Sequence, residues 1–490
     1  MINDLASRAA TPPPNQSVRL FRRLVTLDLL TSVLTVFFSY TIALFYVTSR
    51  TDSPFTDIFG AEISSQHLQM YLDRFTLYFC ALSILHTTVE WWLGKFSQRR
   101  LFDRYNTAYG AAASGVILMI IVWFVSWLVL SQGHMRGFFA TMAFAYIPVA
   151  LLIQAIINAI IERLLAKGVF KKSVALLIGN GSLADHAWEL SQHGNLGSYT
   201  IVKRVAPPKR DDDIRAWLAE RFEENPEISS VFMFAPSLNR EATMEIVVES
   251  AIAGKSCKTP ALTCGPQSII GADWLNGTKL SHFNSPVEAK ISDTAREIAA
   301  RILAVFAVIP ACLIHFVIAA AIRIDSVGDV IFKQCRYGLL GKEFTMFKYR
   351  TMLQDADSKK DSLRHLNEND GGLFKIKRDP RVTKTGRWLR KSSLDEIPQL
   401  INILRGEMLF VGPRPLPCRD LAGYDNRWQY ARFLSKPGIT GVWQISGRAN
   451  IKFDEMCELD IWYSLNRSFR LDTLIIVKTI GAVAFGVGAH

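Results

Sequence analysis

No two of the seven cysteines form a CxxC pair, and their positions (Cys80, Cys257, Cys264, Cys312, Cys335, Cys418, Cys457) follow no regular spacing. That pattern gives neither a zinc site nor a disulfide framework, and a reducing compartment is expected. The chain also lacks any zinc-ligand spacing, recognition helix or RNA-binding signature. Its formal charge of +12 therefore does not point to nucleic acid. A signal peptide is not expected: the polar lead is long, and the first apolar run exceeds a signal core. What remains to explain the basic excess is positive-inside membrane topology, attraction to an anionic leaflet, or anionic substrates.

At 490 residues, with 49% of them hydrophobic, the chain predicts two or three units of mixed membrane and soluble character. Four apolar runs, roughly 24–47, 75–93, 111–130 and 138–161, are long enough to cross a bilayer as helices. They define an N-terminal four-helix transmembrane bundle over residues 1–165. The second run carries His86 and Glu90, and ionisable residues at that depth are functional candidates; Glu90 near the helix end could also reach the interface. Arg19, Arg22 and Arg23 precede the bundle, Lys95, Arg99, Arg100 and Arg104 follow the second run, and Arg163, Lys167, Lys171 and Lys172 follow the fourth. This alternation puts both ends of the bundle in the cytoplasm.

Residues 172–284 open with an apolar strand, a glycine turn and a helical pattern. Gly179, Gly181 and Ala184 match the GxGxxA turn of a dinucleotide fold, so a Rossmann-like cytoplasmic domain is expected. The glycines could serve only close packing, or the helix start could hold a phosphate. No acid stands at the ribose position, and bound NAD is not expected.

A fifth apolar run, 298–322, would be about 37 Å long as a straight helix, enough to span. Pro310 at its middle removes a hydrogen bond. A fifth span and a re-entrant hairpin hinged at Pro310 are both open locally. A span would put everything downstream outside the cytoplasm, where nucleotides are absent, and this favours the hairpin.

Downstream, Gly386–Pro415 reads GRWLRKSSLDEIPQLINILRGEMLFVGPRP. Adjacent carboxylates Asp395 and Glu396 stand among Arg387, Arg390, Lys391, Arg405 and Arg414. Acid pairs hold divalent cations or supply a nucleophile, and arginines hold phosphate oxygens. Chemistry on a phosphate ester or anhydride is expected. The competing reading is an S-x-x-E capping box from Ser393 to Glu396, with Leu400, Ile401 and Leu404 lining the buried side of the helix begun there. In VGPRP two prolines fix the backbone around Arg414. KPGITGVWQISGR adds Arg448 after a glycine turn, and the last apolar segment, 471–487, reads as interfacial or packed on the domain.

KQCRYGLLGKEFTMFKYRTM, DPRVTKTGRWLRKSSLDEIPQLINILRGEM, VGPRP, PGITGVWQISGR and LDIWYSLNRSFRLDTLIIVKT together resemble the bacterial sugar transferases, the monotopic phosphoglycosyl transferases. The resemblance covers about 293 to the C-terminus, and the upstream layout is similar to the family's long form. It implies a mixed α+β catalytic domain, 293–490, with a re-entrant membrane helix, at the bacterial inner membrane with soluble domains in the cytoplasm. It implies transfer of hexose-1-phosphate from a UDP-hexose, glucose or galactose, to undecaprenyl phosphate, releasing UMP with magnesium. Asp395 would attack the phosphate bearing the sugar, Glu396 would bind the metal, and Arg390, Arg414, Lys348 and Arg448 would bind phosphate. Such a protein would open exopolysaccharide, capsule or O-antigen synthesis, with membrane lipid around it and a homodimer expected. Alternatives are a glycosyltransferase releasing UDP and a membrane-tethered nucleotide sensor or scaffold.

Overall fold

The structure is a computed structural model. It describes residues 32–42, 75–92, 115–117, 120–121, 142, 145–156, 159–160 and 163. From 173 it describes all but 194–195, 197–198, 210–211, 261–272, 276–277, 285–289, 354–355, 357–375, 377–378, 419–423, 447–450 and 485–490. The chain divides into two compact units, one of Pro14–Lys172 and one containing Ser173–His490.

In the first unit the described segments are apolar helices at Ser32–Ile42, Phe75–Trp92 and Ala145–Ile156, and residues 115–117 of the third run are also helical. Ser39 and Thr88 hydrogen-bond the carbonyls of Thr35 and Ile84 one turn back, each at 2.7 Å. Such back-bonding satisfies a hydroxyl within its own helix. His86 is buried and pairs with the hydroxyl of Tyr146. The Glu90 side chain lies outside the described residues.

The second unit opens with β1 (Ser173–Gly179), α1 (Ser182–Gln192), β2 (Tyr199–Val205), α2 (Ile214–Glu224), β3 (Ile228–Phe234), α3 (Arg240–Ile252), β4 (Ser256–Pro260), β5 (Asp273–Leu275) and β6 (Thr278–Phe283). The sheet order is β2-β1-β3-β4-β6-β5. The first four strands in that order pair in parallel, and β6 and β5 are antiparallel. Alternation along β1 feeds two cores, because successive side chains point to opposite faces. Leu176 and Ile178 join a cluster with Met244 and Val247 of α3, whereas Ala175 and Leu177 join Ala184 and Ala187 of α1. At the glycine turn, Gly179 has φ 143°, and a Cβ there would lie 2.0 Å from the Phe234 carbonyl oxygen. Gly181 has φ 93° with open space beside it. The first glycine thus serves strand–strand approach and the second serves backbone conformation.

The cluster behind α3 continues into the C-terminal region, through Val411, Trp428, Phe433, Met456 and Ile461. Arg240 of α3 meets the buried Glu458 with both Nε and Nη2. The six-stranded sheet, whose parallel part runs 2-1-3-4 and not in the 3-2-1-4 order of a Rossmann fold, and the region after it therefore share one core.

The fifth apolar run is one helix, α4 (Lys290–Asp325), continuous through Pro310. Any hinge at Pro310 is a bend within this helix and not a break between two. One stripe of α4 packs along its length on elements downstream of it. Ala300 and Ala304 meet Met346, Ile403 and Met408, and Ile318 and Ile322 meet Tyr349 and Leu389. Between them His315 bonds the Tyr349 hydroxyl at 2.9 Å. At its start Asp293 pairs with Arg467 and Arg296 with Asp472; at its end Asp325 accepts from the Thr385 amide at 2.7 Å. The opposite face, including Phe306, Leu313 and Phe316, is exposed.

After α4 come the hairpin β7 (Ile331–Tyr337) and β8 (Glu343–Tyr349), joined through a 3₁₀ turn (Leu339–Gly341), then α5 (Lys384–Lys391), a 3₁₀ turn (Leu394–Gln399), α6 (Leu400–Arg405), β9 (Leu409–Val411), a further 3₁₀ segment (Arg427–Leu434), β10 (Gly438–Thr440), a single helical turn (Val442–Ile445), α7 (Phe453–Asn466) and α8 (Phe469–Ala484). β9 and β10 pair in parallel. α8 buries Leu471 and Ile475 and exposes Val477 and Ile480.

Candidate active site

Three chain segments meet at the acid pair. β8 brings Lys348, whose neighbour Tyr349 is buried on the other face of the hairpin. The second segment is α5 with the turn after it. Thr383 caps α5 by accepting from the Gly386 amide at 3.0 Å. Gly386 is needed because a Cβ would lie 2.1 Å from the Thr351 carbonyl oxygen. Arg390, near the end of α5, donates through Nε to the Thr351 hydroxyl at 2.9 Å. Ser393 then takes a left-handed conformation, φ 57°, and turns the chain into the 3₁₀ segment that carries Asp395 and Glu396. A non-glycine residue there is strained, and such strain concentrates at functional sites.

The third segment is Gly412–Pro415. A Cβ on Gly412 would lie 2.4 Å from the Lys436 carbonyl oxygen, so β9 can turn only with glycine there. Arg432 donates to the Arg414 carbonyl at 2.8 Å and Arg336 to the Pro415 carbonyl at 2.7 Å. Arg414 is thus held by both bonds and by the prolines on either side of it.

Asp395 is only 9% exposed. Lys348 Nζ lies 2.9 Å from Glu396 Oε1 and 4.0 Å from Asp395 Oδ2. Arg414 Nη1 lies 3.5 Å from the same Glu396 oxygen. Burial pushes the Asp395 carboxyl above its ordinary range, while Lys348, Arg390 and Arg414 pull it back. Burial also lowers the Lys348 ammonium, against the pull of Glu396. An anion placed beside the buried Asp395 is therefore offset mainly by these cations, because burial weakens the screening by solvent.

Lys348, Asp395, Glu396 and Arg414 are brought together in the fold. Arg390 supports the turn through Thr351 and acts on Asp395 through its charge. Arg448 lies outside the described residues. The capping box does not form: the left-handed Ser393 makes no side-chain cap, and the Glu396 carboxylate is directed to Lys348 and Arg414. Of the expected apolar side of α6, only Leu400 is buried; Ile401 and Leu404 are exposed, and Asn402 and Ile403 take the inside. Asn402 is inside because it stitches α6 to β8, accepting from the Phe347 amide at 3.1 Å and donating to the Thr345 carbonyl at 2.7 Å.

Several basic residues are structural. Arg350 donates to the carbonyls of Ser326 and Val327, Arg381 pairs with Asp379 at 2.6 Å, and Arg405 stacks over Phe347. Thr351 and Asp325 escape a reading of the sequence. Their partners are tens of residues away, and only the T-x-x-G preceding α5 hints at a cap. A second correction concerns cysteine. Cys335 and Cys418, 83 residues apart, are bonded, because an antiparallel bridge between Arg336 and Pro417 lays their segments side by side.

Residues 291–486 match the family model described as bacterial sugar transferase. The chain is 44% identical over 169 residues to the uncharacterized sugar transferase EpsL of Bacillus subtilis, covering 34% of this chain and 77% of that one. It is 46% identical over 164 residues to the galactosyl transferase CpsE of Streptococcus agalactiae, covering 33% and 36%. It is 39% identical over 170 residues to the undecaprenyl-phosphate galactose phosphotransferase of Salmonella typhimurium, covering 33% and 35%. The chain belongs to the bacterial sugar transferase family. Its matched segment spans about a third of the length of the last two relatives.

Proposed function

We propose that this protein transfers hexose-1-phosphate from UDP-glucose or UDP-galactose to undecaprenyl phosphate, releasing UMP, as the first membrane step of exopolysaccharide, capsule or O-antigen synthesis. The observation that carries the reading is the buried Asp395 beside Glu396, faced by Lys348 and Arg414 from two other segments. The name of the Salmonella relative, an undecaprenyl-phosphate galactose phosphotransferase, agrees with it.

The Asp395 carboxylate attacks the phosphorus that bears the sugar. A carboxylate–phosphorus bond forms as the phosphoanhydride bond breaks, and UMP leaves with the electron pair. An oxygen of the lipid phosphate then attacks the same phosphorus and Asp395 departs as carboxylate. Lys348 and Arg414 offset the charge on the transferring group, and the charge of Arg390 favours the ionised form of Asp395. Two adjacent carboxylates offer the hard oxygen donors that suit magnesium, and Glu396 would hold the ion. Magnesium supplies neutralisation of diphosphate charge there.

Among the described residues, one helix, Asp293–Asp325, is long and apolar enough to cross a membrane. Both its ends and one continuous stripe are bound to the same domain. That supports a monotopic placement, with the domain and its nucleotide donor on the cytoplasmic side and a bend at Pro310. Exposed Trp388, Ile401 and Leu404 are suited to the same interface.

The test is nucleotide release from the purified protein with magnesium, undecaprenyl phosphate and a panel of UDP-hexoses. Lipid-dependent UMP is expected, and its donor dependence identifies the hexose. Release of UDP would mean glycosyl transfer and remove the nucleophilic role from Asp395.

A further inference from the structure

The described cysteines fall into distinct environments. Cys257 and Cys457 are buried, and burial pushes both thiols up to about 12, which makes them inert. Cys80 and Cys312 are exposed on apolar helices. Cys335 and Cys418 are bonded to each other with Cα atoms 5.8 Å apart, a separation that needs no backbone distortion. Cys335 is exposed and Cys418 half-buried, so external reagents reach the pair.

The bond joins the two segments that bring cations to Glu396. Cys335 lies on β7 opposite Thr345 of β8, and β8 carries Lys348 three residues further on. Cys418 lies four residues after Arg414. The segment from Arg414 is anchored at its start by Arg432 on the Arg414 carbonyl and next by Arg336 on the Pro415 carbonyl. The Cys335–Cys418 bond closes its far end. A persistent disulfide belongs to an oxidising compartment, whereas in a reducing one a surface pair is typically a redox sensor. The compartment rests on the cytoplasmic placement proposed for this domain.

We propose that Cys335 and Cys418 are a reversible redox site, in which oxidation staples the Arg414 segment to the β7–β8 hairpin and tightens the hold on the donor's phosphates. The oxidant is a low-molecular-weight disulfide. The Cys335 thiolate attacks it, forming a mixed disulfide and expelling one thiolate. Cys418 then attacks the Cys335 sulfur and expels the second. The protein loses two electrons and two protons, and the external disulfide becomes two thiols. A Glu343 carboxylate oxygen lies within 4.8 Å of both sulfurs. These three side chains also make a Cys₂–carboxylate set of the kind zinc takes, which the test must separate.

The full-length protein is equilibrated with graded ratios of oxidised to reduced glutathione, alkylated, and read by mass spectrometry. Cys335 and Cys418 should lose alkylation together over one range of ratios. In parallel, the Kd of UDP-hexose is measured on the Asp395→Asn background, where no turnover interferes. Reduction should weaken binding about three- to tenfold, the effect of having to order one long side chain on binding. Cys335→Ser and Cys418→Ser should each hold Kd at the reduced value at every ratio. The proposal is overturned by a pair alkylated at all ratios, by a pair bonded at all ratios, by one equivalent of zinc that Cys335→Ser removes, or by a Kd that ignores the redox state. If instead the protein releases UDP, the reaction assignment fails while the alkylation and Kd readouts stand.

Discussion

The glycine turn after β1 and the turn after α5 are both places where a helical segment begins beside charged side chains, yet they are built differently. At the glycine turn, Arg204 at the end of β2 pairs with Asp185 of the first turn of α1 at 2.7 Å. The charge there is answered locally, by the α/β sheet's own elements. At the acid pair, cations from β8 and from the Gly412–Pro415 loop converge on a carboxylate of a third segment. A local motif can be satisfied by its own neighbourhood. A site that gathers like charges from separate segments is costly to fold, and its retention points to chemistry.

The largest expected effect is at Asp395. Asp395→Asn should lower UMP formation by at least about 10³-fold, the scale for losing a nucleophile, with the circular dichroism spectrum unchanged. Activity near the parent level would make the acid pair structural and erase the contrast. Lys348→Met and Arg414→Ala should each cost about 10²-fold in kcat. At the other turn, Arg204→Ala should leave kcat within about twofold, since surface ion pairs contribute little. A hundredfold loss there would mean the glycine turn belongs to the reaction.

Two smaller effects sharpen the same comparison. Gly179→Ala should destabilise the fold by about 3 kcal/mol or more, read as a lowered melting temperature, through backbone overlap with Phe234. Gly181→Ala, with open space beside it, should lose less, about 1–3 kcal/mol, from a positive-φ extended conformation (φ 93°, ψ 177°) that side chains rarely adopt. Equal losses would mean that both glycines pack against something. At the acid pair, burial holds the Asp395 carboxyl above its ordinary range. Its carboxylate is the attacking form, so kcat/KM should fall on acidification at a pH above the ordinary value of about 3.9. The native state binds this proton more readily than the unfolded chain, so Asp395 contributes less stability as pH rises through its native pKa. Asp395→Asn should accordingly raise the melting temperature slightly at neutral pH, and a lowered one would mean that the charge stabilises the fold.

Much of this was legible in order along the chain. The alternation of β1, the glycine turn, the apolar length of α4 and the proline-flanked Arg414 depend on neighbours within a few residues. Asp395 and Glu396 stood out because adjacent acids among bases are unusual. The fate of Glu396 was not legible, since capping box and cation partner use the same residue and only the left-handed Ser393 separates them. Arg405 stood among the bases around the acid pair by charge alone, and its stacking over Phe347 made it structural. Asn402 among apolar positions is buried because it serves β8.

By itself the sequence determined what depends on composition and short spacing: an α/β sheet opening on a glycine turn, a long apolar helix, and a bacterial sugar transferase segment around one acid pair. Only the tertiary structure decided which cations reach Glu396, that both ends of α4 are held by one domain, that α3 and the C-terminal region share a core, and that Cys335 meets Cys418. These are contacts between residues tens to hundreds of positions apart. Their formation depends on how whole elements pack, which no local pattern encodes.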